Sequence, residues 1–174
     1  MTTLISATNR PGSMTLLVAQ TYKKILDKKG YPVTLCNLED LPVDALHSAM
    51  YGNPSTAFDV FQNKYLIPAD KFLIIAPEYN GGFPGILKLM IDASDIPNAY
   101  HGKKVALTGV SSGRAGNLRG MEHLTGIFNY LQMQVMYNKL PISKIETLID
   151  KEGFLADMET LKAIDKQCDQ FIKF

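Results

Sequence analysis

The chain has 174 residues, of which 46% are hydrophobic and 20% are charged, and its formal net charge at pH 7 is +1. This length is typical of one domain with a substantial core, and we expect a single domain over residues 1–174. Lysine and arginine are dispersed, which argues against a nucleic-acid-binding protein. No apolar run approaches the ~18 residues of a membrane span, and the first residues lack the pattern of a secretory signal. We therefore expect a cytoplasmic protein without membrane insertion.

The two cysteines and three histidines do not form a recognisable reactive or metal-binding pattern. Cys36 and Cys168 are not in a Cys-x-x-Cys or zinc spacing, and we expect each to be a buried or incidental thiol. His47, His101 and His123 have neither Ser-His-Asp nor metal-ligand spacing, which is typical of structural or surface histidines. The sequence therefore predicts no metal site and no catalytic side chain.

Apolar patterns predict strands and helices that alternate along the chain. Short apolar runs predict five strands, at residues 4–7, 32–36, 72–76, 104–110 and 134–137. Apolar residues at helical spacing predict helices from about residue 16 to Gly30, over about 56–68, from Ile86, over 118–131 and from Ala156 onward. Residues 37–55 lack a clear pattern, and 37–42 are interpreted as the exit loop of the second strand.

This alternation predicts an α/β fold with helices on both faces of a parallel sheet, in three layers. With right-handed crossovers we expect five parallel strands in the flavodoxin-like order 2-1-3-4-5. Such an order places the carboxyl ends of the first, third and fourth strands side by side, where open α/β sheets bind ligands. The loops after these three strands are therefore the candidate site.

The first of these loops, Thr8 to Thr15, joins a strand to a helix and is rich in hydroxyl groups. Backbone N–H groups and the helix dipole at such a junction favour an anion, and Arg10 adds a positive charge. The loop is neither a Walker loop nor a Gly-x-Gly-x-x-Gly fingerprint. An ordinary helix start, with Ser13 or Thr15 as the cap and Arg10 exposed, is the alternative.

The loop after the third strand combines an aromatic ring, an amide and two glycines. Tyr79, Asn80 and the glycines that follow suit a flat heterocycle, because glycine lets a ligand approach the backbone closely. A tight turn without a ligand is the alternative. Glu78 can equally be a surface or subunit-contact residue. Lys88 and Asp92, at i and i+4 on the next helix, are interpreted as a solvated ion pair or as part of a subunit interface.

The loop after the fourth strand is built from small residues that keep its backbone accessible. These are Ser111, Ser112, Gly113 and Gly116. Arg114 and Arg119 can face a cofactor, a dinucleotide phosphate or water, and water is the preferred interpretation for Arg119. A phosphate-compatible first loop beside a ring-compatible third loop predicts a ligand in which a phosphate is joined to a flat aromatic ring.

These segments resemble the NAD(P)H-dependent FMN reductases, a family that includes quinone, chromate and azo-dye reductases. The resemblance rests on Thr8-x-Arg10-x-x-Ser13-x-Thr15, on Pro77-Glu78-Tyr79-Asn80 followed by Pro84 and Leu87-Lys88-x-x-Ile91-Asp92, and on the Ser/Gly loop after the fourth strand. It implies a flavodoxin-like fold that binds FMN non-covalently, uses NADPH or NADH as reductant, and forms a homodimer or homotetramer.

Carried over by position, the resemblance assigns three groups of residues to FMN. The phosphate would be held by Thr8, Arg10, Ser13, Met14 and Thr15, the isoalloxazine would be lined by Pro77, Glu78, Tyr79, Asn80 and Gly81, and its other edge would be closed by Ser111, Ser112, Gly113 and Arg114. The chain departs from the family pattern at Ala7, where the family usually has glycine. Its fourth loop also lacks a double glycine.

The resulting hypothesis is an oxidoreductase in which NAD(P)H delivers hydride to flavin N5, and electrons then pass to a quinone, an azo dye, a metal oxyanion or free flavin. Backbone N–H donors would stabilise charge on the reduced ring, and no side-chain acid or base is required. One alternative is an FMN-binding electron carrier or redox-responsive partner protein without nicotinamide chemistry, although such carriers are commonly strongly acidic and this chain is not. The other is a nucleotide-binding or phosphotransfer enzyme, which the missing Lys-Ser/Thr and Cys-x5-Arg motifs disfavour.

Overall fold

The computed structural model of the chain describes residues 1–46 and 54–174 and places six strands in one sheet. The strands are β1 (Thr2–Ser6), β2 (Thr34–Asn37), β3 (Lys71–Pro77), β4 (Lys104–Val110), β5 (Gln134–Val135) and β6 (Leu140–Ile142). Five of them follow the order β2-β1-β3-β4-β5 with every pair parallel. This arrangement confirms the predicted flavodoxin-like topology.

In the part of the chain that the structure describes, six α-helices cover the two faces of the sheet. They are α1 (Met14–Lys28), α2 (Thr56–Tyr65), α3 (Gly85–Ala93), α4 (Ile96–Tyr100), α5 (Leu118–Tyr130) and α6 (Met158–Lys173). The side chains of β3 alternate between the faces: Phe72 and Ile74 pack with α2 to α5, whereas Leu73 and Ile75 pack with α1 and α6. Both sets are apolar because both faces are buried, which explains the unbroken apolar run of this strand.

The sheet edge beyond β4 differs from the single fifth strand predicted at 134–137. β5 is only two residues long and pairs with the start of β4. The chain then leaves the sheet and returns as β6, which pairs with Thr108 to Val110 at the other end of β4. Because β6 has three residues and contains Pro141, which is tolerated at a sheet edge, no apolar run reveals it in the sequence.

Three short helical segments also differ from the sequence-based expectation. The helix α4 was not predicted; Asp95 caps it, and its side chain accepts a hydrogen bond from the N–H of Asn98 at 3.3 Å. In the segment expected to be irregular, Leu38–Asp40 and Val43–Leu46 form 3₁₀ turns. The expected exit loop of the second strand is therefore mostly a compact turn.

The cysteines and histidines have no reactive arrangement in the described ranges. Cys36 and Cys168 are buried and unpaired, and burial raises the pKa of each thiol to about 12, so both are protonated at neutral pH. His101 and His123 are exposed, and His47 lies outside the described residues. Within residues 1–46 and 54–174 no group of three or more His, Cys, Asp or Glu side chains is arranged to hold a metal ion.

Among the described residues no helix combines the length and the apolar character that crossing a membrane requires. The cytoplasmic location expected from the sequence stays a prediction.

Candidate functional site

The carboxyl ends of β1, β3 and β4 meet around a cavity of about 320 Å³, a volume within the range typical of small-molecule sites. The first loop, the end of β3, the loop after β4 and the segment after β6 each contribute to its wall. The lining residues are Arg10, Pro11, Gly12, Ser13, Met14, Thr15, Pro77, Glu78, Tyr79, Val110, Ser111, Ser112, Ile145 and Glu146. Residues of the three loops identified in the sequence therefore border one cavity.

The first loop presents the N-terminus of α1 to this cavity. Ser13 is the N-cap, and its Oγ accepts a hydrogen bond from the N–H of Leu16 at 3.2 Å, so this hydroxyl has the ordinary capping role. The N–H groups of Met14 and Thr15 lie in the first turn, where a helix offers no acceptor of its own. Arg10 is exposed beside them. This end of the cavity therefore has the chemistry of an anion site.

Thr8 is fully buried and does not line the cavity. Its Oγ1 lies 2.8 Å from the phenolic oxygen of Tyr79 and accepts a hydrogen bond from the N–H of Arg10 at 3.2 Å. The bond to Tyr79 joins two residues that are 71 positions apart in the sequence and belong to different loops, whereas the bond from Arg10 lies within the first loop. Thr8 therefore aligns the first loop with the third.

The loop after β3 forms a two-residue hairpin turn. The N–H of Tyr79 donates to the carbonyl oxygen of Gly82 at 2.8 Å, and the N–H of Gly82 donates to that of Tyr79 at 3.0 Å. Asn80 and Gly81 both have left-handed backbones, with φ of 52° and 79°, as the type I′ turn requires. Neither of these two residues lines the cavity, whereas Pro77, Glu78 and Tyr79 do. The residues that form the tight turn and the residues that line the cavity are thus adjacent parts of one loop.

The hydroxyl groups of the loop after β4 are used within the protein. Ser111 Oγ donates to the carbonyl oxygen of Gly113 at 3.0 Å and accepts from the N–H of Gly116 at 2.9 Å. Ser112 Oγ donates to Glu146 Oε1, and this hydrogen bond lowers the pKa of the Glu146 carboxyl group. Both serines line the cavity, so they shape the loop from within the wall.

The remaining predicted residues of this region lie outside the cavity. Gly113, Arg114 and Arg119 are exposed, and for Arg119 this agrees with the expected contact with water. Lys88 and Asp92 form a partly exposed ion pair on α3, with Lys88 Nζ 2.5 Å from Asp92 Oδ1. A solvated ion pair was one of the two interpretations from the sequence.

Four residues of this region were missed by sequence reasoning. Val110, Ile145 and Glu146 line the cavity, and the last two follow β6, a strand that no sequence pattern indicated. Asn117 is buried and donates hydrogen bonds to the end of β3. The only available signal for Asn117 was the tolerance of asparagine for a left-handed backbone beside a glycine.

Two larger and more open grooves lie on helix surfaces. One of about 700 Å³ separates α1 from α6, and one of about 670 Å³ separates α3 from α5. Neither includes the carboxyl end of a strand or the N-terminus of α1. The smaller cavity is the candidate site because it alone among the three has the anion-binding helix N-terminus and the residues that end β3 and β4.

The donors of this cavity fit FMN. Arg10 and the N–H groups of Met14 and Thr15 suit a phosphate, and the bordering Pro77 and Tyr79 suit a flat aromatic ring. The backbone at Gly12, which lines the cavity, is open, since a Cβ there would meet no other atom within 4 Å. The residues present therefore match a ligand with a phosphate at one end and a ring at the other.

Comparison with known proteins also points to FMN. The sequence model of the NADPH-dependent FMN reductases matches residues 2–147. A quinone reductase of Escherichia coli strain K12 is 32% identical over 171 residues, which cover 95% of this chain and 89% of that protein. A 2-hydroxy-1,4-benzoquinone reductase of a Burkholderia species is 33% identical over 107 residues, which cover 59% of this chain but only 58% of that relative.

Among solved structures, FerB from Paracoccus denitrificans, a flavoenzyme NAD(P)H:(acceptor) oxidoreductase, has the same fold. It superposes with a TM-score of 0.76 at 20% identity, covering 99% of this chain and 94% of FerB. The family match spans β1 to the segment after β6 and so contains the whole cavity wall. The chain belongs to the NADPH-dependent FMN reductase family.

Proposed function

We propose that the protein binds FMN non-covalently and passes electrons from NADPH or NADH to a small acceptor of the quinone type. One observation carries the proposal: the anion-binding first loop and the ring-binding third loop meet in one cavity, joined by the hydrogen bond between Thr8 and Tyr79. Membership of the family and the quinone-reducing relatives support the same chemistry.

In this proposal the first loop holds the FMN phosphate. Arg10 compensates the phosphate charge, and the N–H groups of Met14 and Thr15 donate to its oxygens, as at other helix N-termini. Ser13 caps the helix and so keeps these N–H groups at the cavity. The buried Thr8 holds this loop in place through its two hydrogen bonds.

The end of β3 and the loop after β4 enclose the flat ring. Pro77, Glu78 and Tyr79 form one wall, and Ser111 and Ser112 form the other. Bound FMN supplies the hydride and electron chemistry, so the proposal gives no side chain a proton-transfer role. Contacts from Asn80, Gly81, Gly113 and Arg114 stay predictions that rest on the resemblance alone.

Flavin binding and turnover of the purified protein test the proposal. We expect the wild type to bind FMN and, once loaded, to oxidise NADPH or NADH when 1,4-benzoquinone is supplied. Arg10→Ala should weaken FMN binding by about tenfold, because a charge-assisted contact to the phosphate is lost, and should leave riboflavin binding unchanged. The matched control Arg119→Ala removes an exposed arginine outside the cavity and should change neither affinity.

Two results would contradict parts of this proposal. A protein that binds no FMN under any of these conditions refutes the site. A protein that binds FMN but oxidises neither nucleotide is an electron carrier, and the enzymatic part of the proposal is then wrong.

We also propose that the chain forms a homodimer or homotetramer through the groove between α3 and α5. Ile96, Ile127 and Tyr130 border this groove, and Tyr130 is 87% exposed although it is a large apolar side chain. Contact with a second copy of this chain would remove the Tyr130 ring and the half-buried Ile96 and Ile127 from water. Light scattering after size exclusion should give two or four chain masses, and Tyr130→Glu should shift the mass toward one chain; a wild-type mass of one chain would contradict the proposal.

A further inference from the structure

A single buried amide joins the end of β3 to the start of α5. Asn117 occupies the N-cap position of α5, where its side chain makes no capping hydrogen bond. It is fully buried and has a left-handed backbone with φ of 59°. Its Nδ2 donates to the carbonyl oxygens of Ala76, at 3.0 Å, and of Pro77, at 2.9 Å. Because both partners can only accept, the chemistry fixes the orientation of the amide. Asn117 thus holds the last two residues of the strand that leads into the cavity wall.

The backbone of Asn117 holds the next residue of the same wall. Its N–H donates to Glu78 Oε2 at 3.2 Å, at the start of a helix of 13 residues. A carboxylate in this position is stabilised by the helix dipole. The N–H of Glu78 in turn donates to the carbonyl oxygen of Val110 at 2.8 Å. Contacts within the protein therefore fix both the backbone and the side chain of Glu78.

The packing around Asn117 is tight on two sides. A Cβ added at Gly120 would lie 2.1 Å from Asn117 Oδ1, and one added at Gly109 would lie 2.0 Å from the carbonyl oxygen of Gly116. Within the described part of the chain Asn117 Oδ1 is buried without a hydrogen-bond partner, which is unfavourable. The stabilising hydrogen bonds of this side chain are therefore the two that Nδ2 donates. The left-handed backbone disfavours most other residue types at this position.

We propose that Asn117 is a positioning residue for the ring-binding wall of the cavity. Its amide and its N–H hold residues 76–78, so that Pro77, Glu78 and Tyr79 keep one conformation in the free protein. A wall that is already ordered removes an ordering cost from flavin binding and so strengthens it. The proposal rests on the proposed FMN site but goes beyond it, because Asn117 does not line the cavity.

Two substitutions of Asn117 and one control test this role. Asn117→Gly keeps the left-handed backbone and the N–H but removes the amide, whereas Asn117→Asp keeps the shape and replaces the donating group by an oxygen. Gln132→Gly is the matched control, because Gln132 also has a left-handed backbone, with φ of 60°, and is exposed after the other end of α5. The affinities of each variant for FMN and for riboflavin, and its urea midpoint, are measured on the full chain.

We expect both Asn117 variants to lose affinity for FMN and for riboflavin by the same factor, at least about tenfold. The ratio of the two affinities should stay at the wild-type value, because the phosphate is held by the first loop and only the ring wall is disturbed. Gln132→Gly should bind both flavins as the wild type does. Two results would assign Asn117 a general structural role and overturn the proposal. One is a lower urea midpoint with unchanged affinity for both flavins. The other is a loss of affinity that is larger for FMN than for riboflavin, so that the ratio of the two affinities approaches one.

Hydrogen exchange of the free wild-type protein tests the same claim when a variant fails to fold. The N–H groups of Tyr79 and Gly82, which close the turn after the wall, should be protected from exchange without flavin. Rapid exchange that slows only after FMN is added would show that the wall forms on binding, and the positioning role would then be wrong. The outcome is separate from the proposed function, since failure of the wild type to bind any flavin refutes the site whatever the exchange result.

Discussion

Removing the hydrogen bond between Thr8 and Tyr79 should loosen the alignment of the first loop with the third. Thr8 Oγ1 lies 2.8 Å from the phenolic oxygen of Tyr79 and also accepts from the N–H of Arg10 at 3.2 Å. Tyr79→Phe deletes the first of these bonds. Thr8→Val deletes both and leaves the Arg10 N–H without its protein partner.

The expected effects follow from the number of bonds lost. A neutral hydrogen bond contributes about 0.5–1.5 kcal/mol. We therefore expect the free energy of unfolding to fall by about 1 kcal/mol in Tyr79→Phe and by about 2 kcal/mol in Thr8→Val. The double variant can lose the shared bond only once, so its loss should be smaller than the sum by about 1 kcal/mol.

The same bond limits the effect on FMN binding. Realigning the two loops cannot cost more than the bond that aligned them, so FMN affinity should fall by at most about tenfold in Tyr79→Phe from this source. The wild type, the two single variants and the double variant are each unfolded in urea and titrated with FMN. Tyr137→Phe, at an exposed tyrosine away from the cavity, is the control. Strictly additive free energies, within about 0.3 kcal/mol, would refute the reasoning.

Three further predictions concern buried and charged groups. Gln167→Leu should lower the free energy of unfolding by about 2–4 kcal/mol in urea, because this buried side chain makes four hydrogen bonds; a loss below about 1 kcal/mol would contradict this. Cys36 and Cys168 should resist a thiol reagent at neutral pH in the folded protein and react after urea unfolding, since burial raises each pKa to about 12; fast reaction of the native protein would be the opposite result. Ser112→Ala should raise the pKa of Glu146 toward its usual 4.5 in an NMR titration, because the Ser112 hydrogen bond lowers it. A carboxyl pKa lowered by folding contributes stability above its unfolded value that is lost as the pH falls through the folded value, so the variant should lose less stability in acid; an unchanged Glu146 titration would contradict this.

The sheet and the position of the site were predictable because they depend on local patterns. A strand buried on both faces must be apolar throughout, as Phe72 to Ala76 are, and a strand–helix alternation leaves few topologies. The strand order then determines which loops meet, and it brought Arg10 and Tyr79 to one cavity although they are far apart in the sequence.

The parts of the wall that were not predicted depend on contacts that leave no local pattern. Ile145 and Glu146 reach the cavity only because β6 extends the sheet, and a three-residue edge strand with a proline has no periodicity to detect. The sequence does not distinguish Asn117 from an ordinary loop residue, because the carbonyl groups to which its side chain donates lie about 40 positions earlier in the chain. The capping role of Ser13 was one of the two interpretations that the sequence left open. The hydroxyl of Ser111 looked free for a ligand, but its partners are backbone groups that only the folded loop brings near.

The central claim is that three loops form an FMN site whose flavin a nicotinamide nucleotide reduces, and one absorption measurement tests it most directly. Purified protein is mixed with FMN, separated from unbound flavin by gel filtration, and treated with NADH and then NADPH without oxygen. We predict that the flavin absorption band stays with the protein and is bleached by at least one nucleotide. A protein that emerges without flavin absorption, or whose bound flavin stays oxidised with both nucleotides, would contradict the claim.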